Sequence, residues 1–169
     1  MPVWCPPSKL SCPADRPIGP TTCSSSGVTS VETTVLEIDT SRRQVVDLTG
    51  AVGDFCTGRG DGLCSVFVPH ATAGVAVMEL GSGSEADLSA ALARLLPHDD
   101  RYGHRHGAPG HGADHLLPVF VSPSLVIPVF AGRVALGTWQ SVVLVDTNSD
   151  NPHRQVRLSF AGHPSSTPP

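Results

Sequence analysis

The chain has 169 residues, of which 40% are hydrophobic and 15% charged, and its formal net charge is −4 at pH 7. A chain of this length forms one domain with its own core, and its negative charge argues against nucleic acid as a partner, because binding along a phosphate backbone needs a basic surface. It has no run of about 18 apolar residues, so we expect neither a membrane helix nor a membrane partner.

The two ends of the chain differ in composition from the middle. Residues 1–29 are rich in proline, serine, threonine and cysteine, have no hydrophobic period, and are predicted to be a disordered tail. Residues 162–169 are predicted to be a second disordered tail. We therefore expect a single domain over residues 30–161. The five cysteines lack CxxC spacing and the start lacks the apolar core of a signal peptide, so a cytoplasmic location is expected.

The first half of the domain has mainly strand patterns. Residues 31–38 alternate and are β-branched, which predicts a strand, and residues 42–46 are expected to pair back on it after a turn at 39–41. Residues 47–55 indicate a short helix weakened by glycine. Two apolar strands are predicted next, at residues 63–68 and 74–80.

Residues 84–96 carry the strongest helix signal in the chain. Ser84 is predicted to be the N-cap, Glu85 and Asp87 suit the positive end of the helix, and Pro97 ends it. The apolar stripe is expected to consist of Leu88, Ala91, Leu92 and Leu95.

The second half begins with a loop rich in glycine and histidine at residues 98–112, followed by a short helix at 113–120. Four more strands are then predicted, at residues 125–129, 133–136, 140–146 and 155–160. Several strands with two or three helices and no strict βαβ alternation predict an α+β fold with a mostly antiparallel sheet.

Five of the eight histidines fall within 18 residues: His98, His104, His106, His111 and His115. Imidazole is the commonest metal ligand, so three converging histidines with a carboxylate would suit a divalent ion, zinc or magnesium. The spacing is weak support, because His111 and His115 share a helix face only if a helix begins at His111, which Gly112 disfavours. A solvated loop that is merely rich in histidine is the alternative.

A second set of polar residues surrounds the predicted strand at 74–80. His70 and Thr72 precede this strand, and Glu79 lies at its end. A carboxylate at the end of an apolar strand is unusual unless it is paired or functional, which makes these three residues candidates for catalysis. The alternative for Glu79 is a solvent-exposed strand end.

The segment Gly137-Thr-Trp-Gln predicts a tight bend where the backbone approaches another group closely. Trp139 and Gln140 could frame a heterocyclic ligand by stacking and hydrogen bonding. A core tryptophan beside a β-bulge is the alternative.

Lys9 is the only lysine and lies in the predicted tail, so the domain has no lysine for a Schiff base or a P-loop. An anion must therefore be held by arginine, histidine, backbone N–H groups or a metal. Arg101 and Arg105 share the histidine loop and are candidates for binding a phosphate, together with Arg154.

These segments together resemble the YjbQ family, also described as secondary thiamine-phosphate synthases. The resemblance covers residues 30–161 and rests on four blocks. They are the stretch from Ser124 to Val142 with its Gly-Thr-Trp-Gln, the His-Ala-Thr-Ala-Gly-Val segment at His70, the Tyr-Gly-His segment ending at His104, and the His-Leu pair at His115.

The resemblance implies an α+β, sandwich-like domain, commonly a homotrimer, that acts on a small phosphorylated molecule. By this resemblance His70, His104 and His115 are the metal-binding histidines, and the other histidines are incidental. Glu79 corresponds to the family's glutamate. Three positions depart from the family pattern. Met78 replaces an asparagine, Asp114 replaces a small residue, and Asp150-Asn-Pro-His replaces a segment that ends in arginine, for which Arg154 could substitute.

The implied activity is thiamine-phosphate synthesis, in which a pyrimidine pyrophosphate joins a thiazole phosphate and releases pyrophosphate. Two alternatives stay open. One is a metal-dependent hydrolase with Glu79 as the base, and the other is a module that binds a small anion without turnover.

Overall fold

The structure is a computed structural model that describes residues 31–104 and 106–162. The predicted tail at residues 1–29, Arg105 and the end of the chain from residue 163 lie outside the described residues. The strands are β1 Val31–Asp39, β2 Val45–Asp47, β3 Gly62–Phe67, β4 Ala73–Met78, β5 Ser124–Phe130, β6 Arg133–Val134, β7 Ser141–Asp146 and β8 His153–Gly162. The helices are α1 Thr49–Cys56, α2 Ser84–Leu95, α3 His111–Asp114 and α4 Leu117–Phe120.

The strands form two antiparallel sheets. Sheet A has the order β1-β8-β3-β5-β6, and sheet B has the order β2-β7-β4. Every strand pair is antiparallel. The fold class is therefore α+β with antiparallel sheets, as the sequence predicts.

Strand β7 is the centre of the fold because both of its faces are buried. Val142 and Leu144 point into the core that sheet A, sheet B and α1 share. Val143 and Val145 point the other way, into a second core formed with α2, α3 and α4. Each such side chain contributes about 1.5–3 kcal/mol when it is fully buried. The alternation of strand side chains thus lets one strand hold a sheet layer and a helix layer together.

Most of the predicted elements are confirmed, but the pairing of residues 42–46 is wrong. The chain turns after β1 and continues into β2, which pairs with β7 in sheet B. The backbone N–H of Asp146 donates to the carbonyl of Gln44 at 2.8 Å, and the Thr40 hydroxyl donates to the Asp146 carboxylate at 2.7 Å. These contacts hold the turn against β7. Strand β1 therefore pairs with β8 and not with residues 42–46.

Helix α2 also differs in detail from the prediction. Its N-cap is Gly83, in the left-handed conformation, and Ser84 is the first helical residue. The inward-facing leucines are four residues apart: Leu92 and Leu96 are buried and Leu88 is partly buried, while Leu95 is 53% exposed. The predicted helix at residues 113–120 is two one-turn helices, α3 and α4.

Strand β4 and the segment that follows α4 approach each other closely at Gly74. The N–H of Val75 donates to the carbonyl of Ser122 at 2.7 Å, which covers the open edge of β4 with backbone. A Cβ on Gly74 would lie 2.1 Å from the carbonyl oxygen of Val121. Only glycine fits at this position.

We therefore expect Gly74→Ala to lower the free energy of unfolding by about 1–3 kcal/mol or more, the usual cost of overpacking. Gly53→Ala is the matched control, because a Cβ on Gly53, inside α1, would meet no atom within 4 Å. That change should raise stability by up to about 1 kcal/mol. Urea unfolding measures both, and equal effects of the two substitutions would contradict the close approach.

Candidate functional site

Four histidine side chains converge on one side of the helix layer. The ligand nitrogens of His104, His106, His111 and His115 all lie within 4.8 Å of one another. The Nε2 atoms of His111 and His115 are 2.9 Å apart, and the ring of His104 lies 4.0 Å from that of His106 and 4.2 Å from that of His115. We refer to these four residues as the tetrahistidine cluster.

The cluster depends on helix α3, which Gly112 disfavours in the sequence. Helix α3 begins at His111 and His115 is its C-cap, so the two rings lie on the same face, four residues apart. Gly110 precedes the helix with a φ of 83°. A Cβ on Gly112 would lie 2.6 Å from Cβ of Tyr102 and 2.9 Å from the carbonyl oxygen of His104. The expectation about Gly112 is thus wrong: its missing side chain lets the His104 loop rest against the helix.

Two residues of the turn after β7, Asn148 and Asp150, contact the ring of His111. The Asp150 carboxylate lies 2.9 Å from Nδ1 of His111, and the side-chain nitrogen of Asn148 lies 3.0 Å from the same atom. Only one of these contacts is favourable at a time, because the carboxylate needs a proton on Nδ1 and the amide N–H needs a lone pair. A metal on Nε2 would require the proton on Nδ1 and would therefore select the contact with Asp150.

Asp114 is a buried carboxylate next to the cluster, with 3% of its surface exposed. It accepts hydrogen bonds from the Thr147 hydroxyl at 2.6 Å and from the side chain of Asn148 at 3.0 Å. Nε2 of His98 lies 3.2 Å from the same oxygen that Thr147 contacts. These three partners compensate the cost of burying the carboxylate.

The environment of His104 and His115 favours the neutral imidazole. The pKa of His104 is lowered by desolvation and by the neighbouring His106 and His111. The pKa of His115 is lowered by burial and by the other rings of the cluster, against an opposing effect of Asp114. A neutral ring has the free lone pair that a metal needs, so the lowered pKa values of His104 and His115 favour their action as ligands.

His70 lies outside the tetrahistidine cluster. Its Nε2 accepts a hydrogen bond from the backbone N–H of Gln155 at 2.8 Å, so the neutral ring carries its proton on Nδ1. Burial lowers the pKa of His70, and the adjacent Arg154 lowers it further. The structure thus brings together two members of the predicted triad, His104 and His115, but not the third.

The remaining predicted catalytic residues lie at opposite ends of sheet B. In the β4–β7 pair, Ala73 is opposite Asp146 and Met78 is opposite Ser141. Thr72 is buried and lies at the Asp146 end, as does His70. Glu79, Trp139 and Gln140 lie at the other end, and a six-residue strand spans roughly 17 Å. A single chain therefore does not bring the two groups together.

The side chains at the far end have local roles or face solvent. The side-chain oxygen of Gln140 accepts from the backbone N–H of Gly137 at 2.8 Å and closes the bend that the sequence predicts. Trp139 is 72% exposed, so it is not a core tryptophan, and Glu79 is exposed as well.

The predicted phosphate-binding arginines are already paired where the structure describes them. Arg101 forms a surface ion pair with Asp99 at 2.7 Å. Arg154 is buried and donates to both oxygens of Asp146, at 2.6 and 2.9 Å. Arg105 lies outside the described residues.

Sequence reasoning names His106 and His111 among the clustered histidines but sets them aside as incidental, and it misses Asn148 and Asp150. The density of histidines between positions 98 and 115 was the available signal for the first two. Asn148 and Asp150 carried no signal of their own, because their role depends on the turn after β7 meeting α3 in space.

The comparisons with known proteins agree with this fold. The family model described as "UPF0047 protein YjbQ-like" matches residues 34–163. The chain belongs to the YjbQ family. The UPF0047 protein Rv2556c of Mycobacterium tuberculosis (strain H37Rv) is 65% identical over 130 residues, which cover 77% of this chain and 98% of that protein.

Solved structures of other proteins are similar to this chain in fold. Hypothetical protein APE1520 from Aeropyrum pernix K1 matches with a TM-score of 0.69 and 36% identity, over 78% of this chain and 98% of that one. A YbjQ-like protein of unknown function from Sulfolobus solfataricus P2 matches in fold with a TM-score of 0.73 and 24% identity, over 80% and 99% of the two chains. Within the described part of this YjbQ-family chain, no helix has the length and hydropathy that crossing a membrane requires.

The His70 environment predicts a pH dependence of stability. Its pKa is lower in the folded chain than the ordinary value of about 6.5, so the unfolded chain binds the proton more tightly. The contribution of His70 is therefore complete above about pH 6.5 and is lost as the pH falls below that value.

We expect His70→Gln to flatten the pH dependence of the free energy of unfolding of metal-free protein between pH 7.5 and 5.5. Glutamine keeps an acceptor for the Gln155 N–H but does not titrate. His153→Gln, at an exposed position, is the control and should leave the slope unchanged. Identical slopes for wild type and His70→Gln would contradict the assignment.

Proposed function

We propose that the tetrahistidine cluster binds one zinc-type divalent ion and that the protein uses this ion to act on a small phosphorylated molecule. The observation that carries the proposal is the convergence of four imidazoles, with ligand nitrogens within 4.8 Å of one another and a carboxylate behind one of them. An imidazole held by a carboxylate is a recurrent arrangement around protein-bound metals.

The donor set supports zinc rather than magnesium, the two ions that the sequence leaves open. Magnesium prefers oxygen ligands in octahedral geometry, whereas zinc and its neighbours accept imidazole nitrogen. Two nitrogens on one zinc ion lie at most about 4.2 Å apart, since each Zn–N bond is about 2.0–2.1 Å. In tetrahedral geometry the nitrogens lie about 3.4 Å apart. Nitrogens up to 4.8 Å apart therefore have to approach by about 1.4 Å, which the exposed side chains of His104 and His106 allow.

The four histidines are not equivalent as ligands. Four imidazoles would fill a tetrahedral zinc ion, whereas a catalytic ion keeps one position for water or substrate. His111 and His115 are partly buried on α3, while His104 and His106 are exposed. Of the two exposed rings, the family resemblance singles out His104, so we assign His106 as the exchangeable ligand. His104, His111 and His115 would then be the lasting ligands.

Family membership makes thiamine-phosphate synthesis the candidate reaction. The bond between the pyrimidine methylene carbon and the pyrophosphate oxygen breaks, a bond from that carbon to the thiazole nitrogen forms, and pyrophosphate leaves. A bound divalent ion would supply positive charge for the leaving pyrophosphate. A cavity of about 260 Å³ beside the cluster, lined by Tyr102, His104 and His111 among others, is where we expect the pyrophosphate-bearing substrate to bind.

The hydrolase alternative with Glu79 as base receives no support from the geometry of one chain. Glu79 follows β4 at the end of sheet B that lies away from Asp146, whereas Asp114 and Asn148 join the cluster to the Asp146 end. A hydrolase with a different base is compatible with the same metal site.

Self-association into a homotrimer remains part of the proposal. The outer face of sheet A carries a cluster of exposed apolar side chains, Leu63, Phe67, Val126 and Phe130, each between 40% and 63% exposed. Contiguous apolar surface of this kind commonly marks a protein interface. A trimer would also let the Glu79 and Trp139 end of one chain approach another chain.

We expect purified protein to bind one zinc ion per chain and to show no comparable affinity for magnesium. His111→Ala and His115→Ala should abolish zinc binding, and Asp150→Asn should weaken it by roughly 10–100-fold, the usual effect of removing a group that orients a ligand. Competition with a chromophoric chelator measures the affinity.

His70→Ala distinguishes the cluster seen in the structure from the triad implied by the resemblance. If the cluster is the site, this variant keeps wild-type zinc affinity. Loss of zinc in His70→Ala, with affinity retained in His111→Ala, would overturn the assignment.

For the reaction, we expect zinc-loaded protein to form thiamine phosphate from hydroxymethylpyrimidine pyrophosphate and thiazole phosphate, measured by chromatography. His111→Ala should reduce the rate to that of a no-enzyme control, and His153→Ala should not change it. No product above that control, together with hydrolysis of generic phosphoesters by the zinc-loaded protein, would replace the transferase with a hydrolase.

A further inference from the structure

Three neighbouring cavities form a continuous trough along one side of helix α2. Their volumes are about 270, 370 and 340 Å³. Gln44 lines all three, Ser89 joins the first to the second, and Arg43 joins the second to the third. We refer to this surface as the Gln44 trough. Along α2 it runs from Glu85 to Leu96, about 16 Å at 1.5 Å per residue, which is the length of about five residues of an extended chain.

The first cavity of the trough has an apolar floor. Leu92 and Leu96 are buried and lie one turn apart on α2. The polar groups at the rim are already used, because the Thr147 hydroxyl and Nε2 of His98 contact one oxygen of Asp114, at 2.6 and 3.2 Å. An apolar cavity of about 150 Å³ is enough to hold benzene, so this cavity has room for one apolar side chain of a bound segment.

The third cavity is positively charged. Arg42 and Arg43 line it and are exposed, and neither forms an ion pair within 4.0 Å in the part of the chain that the structure describes. Asp146 in the same lining is neutralised by its contact with Arg154. The carboxylate of Glu85, in the second cavity, accepts from a backbone N–H. A ligand with an acidic group is therefore attracted to this end of the trough.

The middle of the trough offers hydrogen-bond partners for a peptide backbone. The side-chain amide of Gln44 has no hydrogen-bond partner among residues 31–104 and 106–162, so it can both donate and accept. Strand β2 is an edge strand of sheet B, and the carbonyl of Gln44 accepts from the N–H of Asp146 in β7. The backbone groups of the next residue, Val45, therefore face away from β7. Such unpaired edge groups are a template for another strand.

We propose that the Gln44 trough binds an extended peptide segment of another protein, in which an acidic and an apolar residue lie two positions apart. Alternate residues of a strand project to the same side, so both side chains can enter the trough together. The acidic side chain binds Arg43, and the apolar side chain packs on Leu92 and Leu96. The backbone between them pairs with the Gln44 amide and with Val45. Main-chain pairing with pockets for alternate side chains is the mode of β-strand addition.

The proposal goes beyond the metal site. None of the cavities of the trough is lined by a residue of the tetrahistidine cluster. Neither a bound ion nor a turnover is needed for a peptide to bind there. The two proposals can therefore fail separately.

The test is a titration of a labelled peptide with the full-length, zinc-free protein, followed by fluorescence anisotropy. The probe is Thr-Glu-Thr-Leu-Thr with blocked ends and a fluorescein label. We expect saturable binding. Exchanging the glutamate of the peptide for glutamine should weaken binding about tenfold or more, because bonds to a charged group are lost. Exchanging its leucine for alanine should weaken binding by a similar factor, because about three buried carbon groups are lost.

Two matched pairs of variants test the location. Arg43→Ala should weaken binding of the glutamate peptide about tenfold and leave the glutamine peptide unaffected, whereas Arg133→Ala, at an exposed position outside the trough, should change neither. Ala93→Leu fills the first cavity and should remove the difference between the leucine and alanine peptides. Ala91→Leu makes the same exchange at an exposed position of α2 that does not line the trough. Backbone amide spectra report whether each variant is folded.

Several outcomes would overturn the proposal. One is no saturable binding, and another is equal affinity for the glutamate and glutamine peptides. Binding of acetylglutamate amide as tightly as the peptide would reduce the trough to an anion site. Sedimentation covers the remaining occupant: if the wild-type protein self-associates, Arg43→Ala dissociates it and no peptide binds, a second copy of the chain occupies the trough.

Discussion

The buried ion pair between Arg154 and Asp146 is the interaction on which the rest of the structure depends. Arg154 is 2% exposed and Asp146 3%, and the two form a bidentate contact at 2.6 and 2.9 Å. The carboxylate also accepts from the Thr40 hydroxyl and from the backbone N–H of Asn148. One carboxylate thus joins the ends of β1 and β7 to the start of β8. Leaving either charge buried without its partner would cost about 3–5 kcal/mol.

The candidate site is built outward from this pair through Asn148. Its backbone is fixed by Asp146, and its side-chain oxygen accepts from the N–H groups of Asp150 and Asn151, which shapes the turn that brings Asp150 to His111. Its side-chain nitrogen reaches Asp114. Asn148 therefore connects the buried ion pair to His111 of the tetrahistidine cluster and to Asp114. The Arg154–Asp146 ion pair and the tetrahistidine cluster therefore belong to one hydrogen-bond network.

The sequence predicts local structure better than it predicts the site, for a physical reason. The alternation of residues 31–38 and the leucine spacing of α2 are local, and both elements form as expected. The pairing of β2 depends on a buried carboxylate about one hundred residues away, which no local pattern encodes.

The same dependence on tertiary contacts explains why local patterns do not identify the histidines that converge in the structure. The family resemblance singles out the segments around His70, His104 and His115, but the distances between these histidines depend on sheet register. His111 joins the cluster because Gly112 permits a close approach to Tyr102, a tertiary contact that its helix propensity alone argued against. Local propensity treats Gly112 as a helix breaker, whereas in the fold it is the one residue small enough for this contact.

The charges of the site constrain how it could bind a phosphorylated molecule. Arg101 and Arg154 are the two predicted phosphate ligands that the structure describes, and each is committed to an aspartate. Desolvation and the neighbouring rings lower the pKa of His104 and of His115, so these two imidazoles are neutral near pH 7. Neutral rings without an ion offer little attraction for a pyrophosphate. A bound divalent ion would supply that charge and hold the rings together, so within the described residues anion binding and metal binding are expected to be one event.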